Sequence, residues 1–412
     1  MKRDPEQEPR ASKRYMPAAC KQATGSFAMW AVACILALVY IGSTLPTPLY
    51  VLYRQRFHFS EITLTLIYAV YVAGTLSALI FFGRLSDQVG RRKAVLPALA
   101  IIAVSTVLFI TAGNTATLFP ARLLSGFAVG IIAGTATAWI VELHPRRLHA
   151  SATAVAVVFI LAGLALGPLM SGLLAQYAPL PLRLTYIVYL PLLLLAASIA
   201  FRARESIEHP VRVKEVSLRP RVGVPNQIRS SFIAPAATAF ATFALFGFFS
   251  AVIPSLLVEK LHETNHAIGG TTVFELSLIA TLITIFTRAV KSRTAMLSGM
   301  LVLLPGIALL ELARESRSMA ILLGATAVCG VSVAFGYRGS LEVINQISPE
   351  SQRAEVLSAY FVACYIGLSL PVIGVGMISQ LVSPEIANLT FAAVVAFFAI
   401  AAVITGVKYA TS

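Results

Sequence analysis

Long apolar segments separated by short polar ones are the dominant pattern along this chain. A membrane-spanning helix needs about 20 mostly apolar residues. Twelve stretches between charged or Pro/Gly-rich breaks meet that requirement, and they lie near 27–49, 61–82, 94–113, 117–141, 151–176, 182–201, 232–257, 268–290, 294–312, 318–345, 353–381 and 385–407. The pattern predicts an all-α integral membrane protein with twelve transmembrane helices.

Composition supports a membrane protein over a soluble one. Of 412 residues, 58% are hydrophobic and only 12% are charged, and the mean hydropathy is +0.82. A soluble chain of this length could not bury so much apolar surface. Residues 1–25 are polar and basic, and without a small-residue cleavage site we expect them to form a retained tail.

The distribution of basic residues predicts the orientation in the membrane. The side that carries the N-terminal tail holds roughly four times as many Lys and Arg as the opposite side, as the positive-inside rule requires of a cytoplasmic face. We therefore expect both termini in the cytoplasm of a bacterial cell with the protein in its inner (plasma) membrane. The formal charge of +14 then reflects contact with anionic lipid of the bilayer, and nucleic acid is not an expected partner.

A hydrophilic stretch divides the spans six and six, which predicts two related halves. The predicted units are a cytoplasmic tail at 1–25, an N-terminal six-helix bundle at 26–201, a cytoplasmic linker at 202–231 and a C-terminal six-helix bundle at 232–412. An offset of 204 residues supports a duplication, because it aligns Gly126 with Gly330, Pro145 with Pro349, Gly163 with Gly367 and Gly172 with Gly376. Two such bundles predict a substrate site between the halves near the bilayer midplane, with alternating access.

The loop between the second and third spans concentrates charge and glycine. Its residues 83–93 include Gly83, Arg84, Asp87, Gly90, Arg91 and Arg92. The glycines permit tight turns, and an acid among cations can form an ion pair or cap a helix. For Arg92 and Lys93 the positive-inside rule alone is a sufficient explanation. Asp87 adds nothing to that rule, which favours a contact that holds the inner side shut.

This loop resembles the signature of the major facilitator superfamily, G-x-L-(A/S)-D-x-x-G-R-(R/K)-(R/K), at the expected place after the second span. The resemblance implies two pseudo-symmetric six-helix bundles, the major facilitator fold. It also implies that Asp87 and Arg91 stabilise the outward-facing state. At the repeat offset Asp87 becomes Lys291, so the inner latch is expected to be asymmetric.

The fifth span contains closely spaced small residues and a proline: Gly163, Gly167, Pro168 and Gly172. Glycines four apart let another helix approach, and the proline bends the helix. The segment resembles the superfamily's antiporter signature, G-x-x-x-G-P-x-x-G-G, with Ser171 in place of one glycine. The resemblance implies a proton-linked exporter. The alternative is a helix that is merely well packed.

Two charged residues within spans are candidates for proton coupling. Arg122 begins a segment that resembles the superfamily's fourth-span motif, R-x-x-(Q)-G-x-(G/A), whose arginine is linked to proton transfer. Intramembrane charge is functional by default, although this arginine could extend to the headgroups. Glu275 is the carboxylate deepest within a span, where burial disfavours its charged form and a nearby Arg122 would favour it. The alternative is an ion pair of purely structural role.

Other polar and aromatic residues are predicted to act at the inner gate or around a cavity. Arg338 and Glu342 are four residues apart on one helix and form a candidate inner-gate pair. Aromatic residues that could line a cavity, although packing or interface anchoring is favoured for each, are Tyr40, Tyr68, Tyr71 and Trp139. The spacing of the histidines and cysteines predicts no metal site, and no cofactor is expected.

These features together predict a proton-coupled exporter, an antiporter, of small amphipathic organic compounds, acting as a monomer. The first span lacks an acid, which argues against cationic drugs as substrates. One alternative is a symporter or facilitator that imports a sugar or organic acid, and another is a non-transporting sensor or scaffold. An enzyme is not expected, since no nucleophile–base pair or nucleotide loop is visible.

Overall fold

A computed structural model describes most of the chain as α-helix. The described residues are 18–83, 85–144, 149–203, 205, 222–261, 263, 265–349 and 352–408. Four of the features predicted above therefore lie wholly or mostly outside the described residues: the tail, Arg84, Pro145 and the linker. The helices run as α1 Ala18–Thr44, α2 Pro46–Phe57, α3 Glu61–Phe82, α4 Leu85–Val89, α5 Arg91–Thr111, α6 Thr115–Leu143, α7 His149–Tyr177, α8 Leu184–Arg202, α9 Arg229–Ala251, α10 Ile253–Lys260, α11 His266–Phe286, α12 Ser292–Ser316, α13 Met319–Ile347, α14 Arg353–Leu381 and α15 Pro384–Lys408.

Twelve helical segments of the described residues are long and apolar enough to cross a membrane, which confirms the predicted number of spans. The first span is longer than predicted, because it continues from α1 through α2 to Phe57. Pro46 stands in the first turn of α2, where a proline costs no helical hydrogen bond. Pro46 and Pro48 led to the prediction that the first span ends near residue 49. In the structure they lie at the start of α2, where α1 and α2 join within the span.

The helical bundle has two ends, a linker end and a distal end. The linker end holds α4 and the residues on both sides of the linker, and the distal end is the opposite one. Four helices that start at the distal end have side-chain N-caps. These caps, each accepting a hydrogen bond from a backbone N–H of the first turn, are Ser60, Asn114, Asn265 and Ser318.

Glycines set the packing inside each half in a repeated way. At Gly126 of α6, an added Cβ would lie 2.0 Å from the carbonyl oxygen of Tyr71 on α3. At Gly330 of α13, it would lie 2.9 Å from the carbonyl oxygen of Leu276 on α11. These two positions are related by the offset of 204, so corresponding helix pairs of the two bundles pack by the same backbone contact.

The two halves meet mainly through α7 against α11 and α3 against α14. A Cβ at Gly270 of α11 would lie 2.2 Å from the carbonyl oxygen of Pro168 on α7, and one at Gly376 of α14 would lie 2.5 Å from Thr65 Oγ1 on α3. All four residues lie in the distal parts of their helices. The halves are therefore pressed together at the distal end.

Candidate functional site

A central cavity lies between the two halves, and the empty space within it, including the part that is open to solvent, is about 790 Å³. Its wall is mostly aromatic and aliphatic, with hydroxyl groups and one arginine, and consists of Tyr40, Ser43, Thr44, Thr47, Tyr68, Tyr71, Arg122, Ile160, Leu161, Leu164, Phe243, Phe246, Ser250, Val333, Tyr337, Phe361, Tyr365 and Leu368. Three of the four aromatic residues named from the sequence belong to this wall. The fourth, Trp139, is fully buried elsewhere.

Arg122 is held in the cavity wall by the packing of α6 on α3. Gly126 and Gly130 bring the α6 backbone against α3, and the hydroxyl of Thr75 donates a hydrogen bond to the Gly126 carbonyl at 3.1 Å. The guanidinium is only 2% exposed, and its Nη1 donates to the Ser43 carbonyl of α1 at 2.9 Å. Of the two alternatives left open by the sequence, the structure places the side chain inside the bundle and not toward the headgroups.

The guanidinium of Arg122 is surrounded by tyrosine rings. Its Cζ lies 4.6 Å from the ring centroid of Tyr71 and 5.8 Å from those of Tyr50 and Tyr68. These distances allow cation–π attraction, which is stronger away from water. Arg122 Nε is buried and has no hydrogen-bond partner, and the hydroxyl of Ser250 contributes a polar group from the facing half. Among the described residues, the cavity wall contains no carboxylate.

Glu275 lies in α11 but not in the wall of the central cavity. It shares a helix face with Thr271, Leu278 and Leu282, which are exposed on the outside of the bundle. Its Oε2 is nevertheless buried and has no hydrogen-bond partner. The structure thus does not bring Glu275 together with Arg122, because the rotation of α11 directs the glutamate away from the cavity.

Polar contacts that were not predicted from the sequence close the distal end, and they include contacts between the halves. Arg54, at the end of α2, forms ion pairs with Glu259 of α10 at 3.0 Å and with Glu61 of α3 at 3.4 Å. Glu61 also accepts a short hydrogen bond from the Ser379 hydroxyl of α14. The sequence did contain a signal for this pairing, because Arg54, Glu61 and Glu259 carry opposite charges and lie at the ends of spans predicted on the same side of the membrane.

The antiporter-like helix α7 contacts both its own half and the other. Gly163 and Gly167 face α1, where an added Cβ would lie 2.4 Å from the Ala37 carbonyl oxygen and 2.1 Å from Thr44 Oγ1. Further toward the distal end, Pro168 and Gly172 face Gly270 of α11. The close approach predicted from the glycine spacing is present on two faces, one of them at the interface between the halves.

At the linker end, Arg91 lies between two carboxylates of its own half. Its Nη1 is 2.5 Å from Asp87 Oδ1, and its Nη2 is 2.6 Å from Glu142 Oε1 on α6. Nη1 also donates to Ser86 Oγ at 2.7 Å. The structure thus brings Asp87 and Arg91 together, and it adds Glu142, whose role depends on how α6 packs beside α5.

Glu205 caps the start of α5. It accepts hydrogen bonds from the backbone N–H groups of Arg91 at 2.8 Å and Arg92 at 3.0 Å. Gly90 has φ of +107°, and an added Cβ would lie 2.7 Å from Glu205 Oε2. Only glycine suits this backbone conformation and space. The guanidinium of Arg92 instead turns to the ring and carbonyl of Phe201.

The other two predicted loop and gate features have modest contacts. Gly83 has helical φ and ψ at the end of α3. Arg338 Nε lies 3.9 Å from Glu342 Oε1, too far for a hydrogen bond. The Nη groups of Arg338 instead donate to the carbonyls of Thr287 at 2.5 Å and Val290 at 3.0 Å. Arg338 therefore mainly stabilises the C-terminal end of α11.

The chain matches known membrane transporters in sequence and structure. The sequence model described as Major Facilitator Superfamily matches residues 32–370. "Multidrug resistance protein MdtL" of Escherichia coli O139:H28 is 26% identical over 345 residues, covering 80% of this chain and 84% of that protein. "Quinolone resistance protein NorA" of Staphylococcus aureus is 24% identical over 139 residues, and the match spans only 34% of this chain and 36% of NorA.

Another relative and a solved structure extend this comparison. An "Uncharacterized transporter" of Rickettsia bellii is 33% identical over 102 residues, a quarter of each protein. The crystal structure of a bacterial homologue of the human lysosomal transporter Spinster, described as inward-facing and unoccupied, superposes with a TM-score of 0.67 at 16% identity over 96% of this chain and 95% of that one. This likeness confirms the fold with its two six-helix bundles.

Proposed function

Because the chain belongs to the Major Facilitator Superfamily, we propose that it is a proton-coupled exporter of small amphipathic organic compounds that works by alternating access. Members of this superfamily are transporters and not enzymes. The observation that supports export most directly is the central cavity, which is mostly aromatic and aliphatic, lies between the halves and is sealed at the distal end. Two relatives whose names refer to drug resistance, MdtL and NorA, support the same direction of transport.

In this proposal the linker end faces the cytoplasm, as the distribution of Lys and Arg predicts. A transporter with its distal end sealed then offers its cavity to the cytoplasm, ready to take up a compound for export. Opening the distal end requires breaking the contacts of Arg54 and Glu61 with the other half. The Asp87–Arg91 cluster lies within one half, and in this proposal it keeps the linker-end loop in shape for the opposite state, in which that end is closed. We propose that a monomer suffices for this cycle.

Glu275 is the proposed proton site. Its partly buried carboxylate has an oxygen without a hydrogen-bond partner, so its charged form is poorly stabilised, and gaining a proton relieves that cost. The same helix, α11, crosses α7 at the distal seal through Gly270. A change of charge at Glu275 can therefore alter the position of the helix that closes the distal end.

We expect Glu275→Gln to lose export driven by a proton gradient by at least about tenfold, since the amide cannot bind and release a proton. The measurement is uptake into inside-out proteoliposomes with and without an imposed pH gradient, using a compound first identified by a growth screen of a deletion strain against toxic compounds. Exchange of labelled for unlabelled compound, which needs no gradient, should continue in the variant.

The matched control is Glu315→Gln, which neutralises an exposed carboxylate at the end of α12 in the same half. It should transport like the unmodified protein. Gradient-driven transport that persists in Glu275→Gln would remove this residue from the coupling mechanism. Accumulation of a nutrient driven in the opposite direction would replace the exporter proposal with a symporter.

A further inference from the structure

We propose that the central cavity binds organic anions, such as a carboxylate on an aromatic or other apolar body, and that Arg122 binds the anionic group. This inference rests on the proposed transport function and adds a substrate class to it. The cavity lies between the halves, and among the described residues Arg122 is the one charged side chain in its wall.

The charge of Arg122 is not neutralised by any described residue of the cavity wall. Its hydrogen bond is to a backbone carbonyl, that of Ser43, and its close neighbours are the rings of Tyr50, Tyr68 and Tyr71. A ring stabilises a cation without cancelling its charge. The wall therefore keeps a net positive charge in a region of low dielectric, where attraction for an anion is strong and repulsion of a cation is equally strong.

The donors of the wall also suit an anion. Arg122 Nε, which is buried and without a hydrogen-bond partner, and the hydroxyl of Ser250 in the same cavity wall come from opposite halves. A carboxylate has only acceptor oxygens and can satisfy a guanidinium and a hydroxyl at the same time. Such a substrate would connect the two halves through its anionic group, while an ammonium group could accept from neither donor.

The rest of the wall suits an apolar body. Phe243, Phe246 and Phe361 contribute rings from the C-terminal half, and Ile160, Leu161 and Leu164 contribute aliphatic surface from α7. Apolar surface with a few placed polar groups is typical of small-molecule sites.

The test compares three compounds of nearly equal shape that differ in charge: 2-naphthoate, 2-naphthamide and 2-naphthylmethylammonium. Binding is measured by isothermal titration calorimetry on the purified full chain in detergent. We expect naphthoate to bind at least about tenfold more tightly than the amide, and the ammonium compound to bind most weakly. Equal binding of all three, tighter binding of the ammonium compound or no binding of the carboxylate would overturn the proposal.

Two variants locate the anion site. Arg122→Gln should lose the preference for naphthoate over the amide, whereas binding of the amide should change by less than about threefold, because the apolar wall is kept. Arg56→Gln removes an exposed arginine at the end of α2 and should retain the full preference. A preference that survives in Arg122→Gln would overturn the assignment to Arg122. The comparison of compounds on the unmodified protein remains decisive even if Arg122→Gln does not fold.

This outcome is separable from that of the proposed function. Export of neutral or cationic compounds with no anion preference would reject the anion site and keep the exporter. Binding of naphthoate without transport in either direction would keep the anion site and reject the exporter.

Discussion

The distal and linker ends of the molecule use charged residues in different ways. At the distal end, Arg54 of the N-terminal half pairs with Glu259 of the C-terminal half. At the linker end, Arg91 pairs with Asp87 and Glu142 of its own half. The distal ion pair must break whenever the halves separate there, whereas the Arg91 cluster can persist while one half moves relative to the other.

The ion pairs of Arg54 and of Arg91 also differ in how far they are buried. Arg54 and Glu259 are 32% and 43% exposed, while Arg91 is only 7% exposed. Exposed pairs contribute about 0 to 1 kcal/mol, which suits a contact that forms and breaks in every cycle. The comparison supports the proposal that the distal charges take part in the conformational cycle, whereas the linker-end ion pairs lie within one half.

The largest expected effect tests the distal seal itself. Gly270→Ala places a Cβ against the Pro168 carbonyl oxygen, and because this contact joins the halves, we expect the distal end to be held open. Overpacking of this kind costs about 1 to 3 kcal/mol, enough to lower the transport rate about tenfold or more. The measurement is exchange in proteoliposomes together with the distance between spin labels at positions 55 and 382, in a background without native cysteines.

Gly269→Ala is the matched control for that substitution. A Cβ at Gly269 would make no contact closer than 3.9 Å, so transport and the spin-label distance should stay unchanged. If both variants behave alike, the crossing of α7 and α11 is not what limits distal closure.

The second effect should fall on stability rather than on conformation. Arg91→Gln leaves Asp87 and Glu142 without their shared cation, and we expect the free energy of unfolding to fall by about 1 to 2 kcal/mol, a loss limited by the partial exposure of both carboxylates. Thermal unfolding in detergent gives the measurement. Arg54→Gln is the comparison variant, and its unfolding temperature should change little. An Arg91 variant as stable as the unmodified protein would contradict the structural role.

The smallest effect concerns salt. The screening length falls from about 10 Å at 0.1 M to about 3 Å at 1 M ionic strength, so high salt should weaken the exposed contact between Arg54 and Glu259. We expect a shift of about two- to threefold toward the distal-open population, read from the same spin labels at 55 and 382. In Glu259→Gln this shift should shrink. A salt response of equal size in that variant would assign the effect to other charges.

The twelve spans could be predicted from the sequence because apolar length alone decides whether a helix can cross a membrane. The end of the first span could not, since a proline within a sequence looks the same at a helix end as in the first turn of a continuing helix. The repeat offset paired Gly126 with Gly330 without predicting their contacts. Both make close backbone contacts in the structure, as expected of helix crossings that tolerate only small residues.

The geometry around the candidate site was much less predictable. Arg122 and Glu275 lie at comparable depth, but depth does not fix the rotation of a helix, and Glu275 faces away from the cavity. The partners of Arg91 and Arg54 come from helices far away in the sequence, at 51 and 205 residues. Pairing at that range depends on how helices pack, which hydrophobic periodicity does not specify.

The contact between Gly270 and the carbonyl of Pro168 also has a kinetic meaning. A seal made by long side chains can loosen gradually as their rotamers change, and water can pass through partly open forms. A backbone pressed against a backbone has no rotamers to change. At this crossing the distal end can therefore open only when a whole helix is displaced, and in the proposed cycle that displacement accompanies the breaking of the side-chain contacts of Arg54 and Glu61.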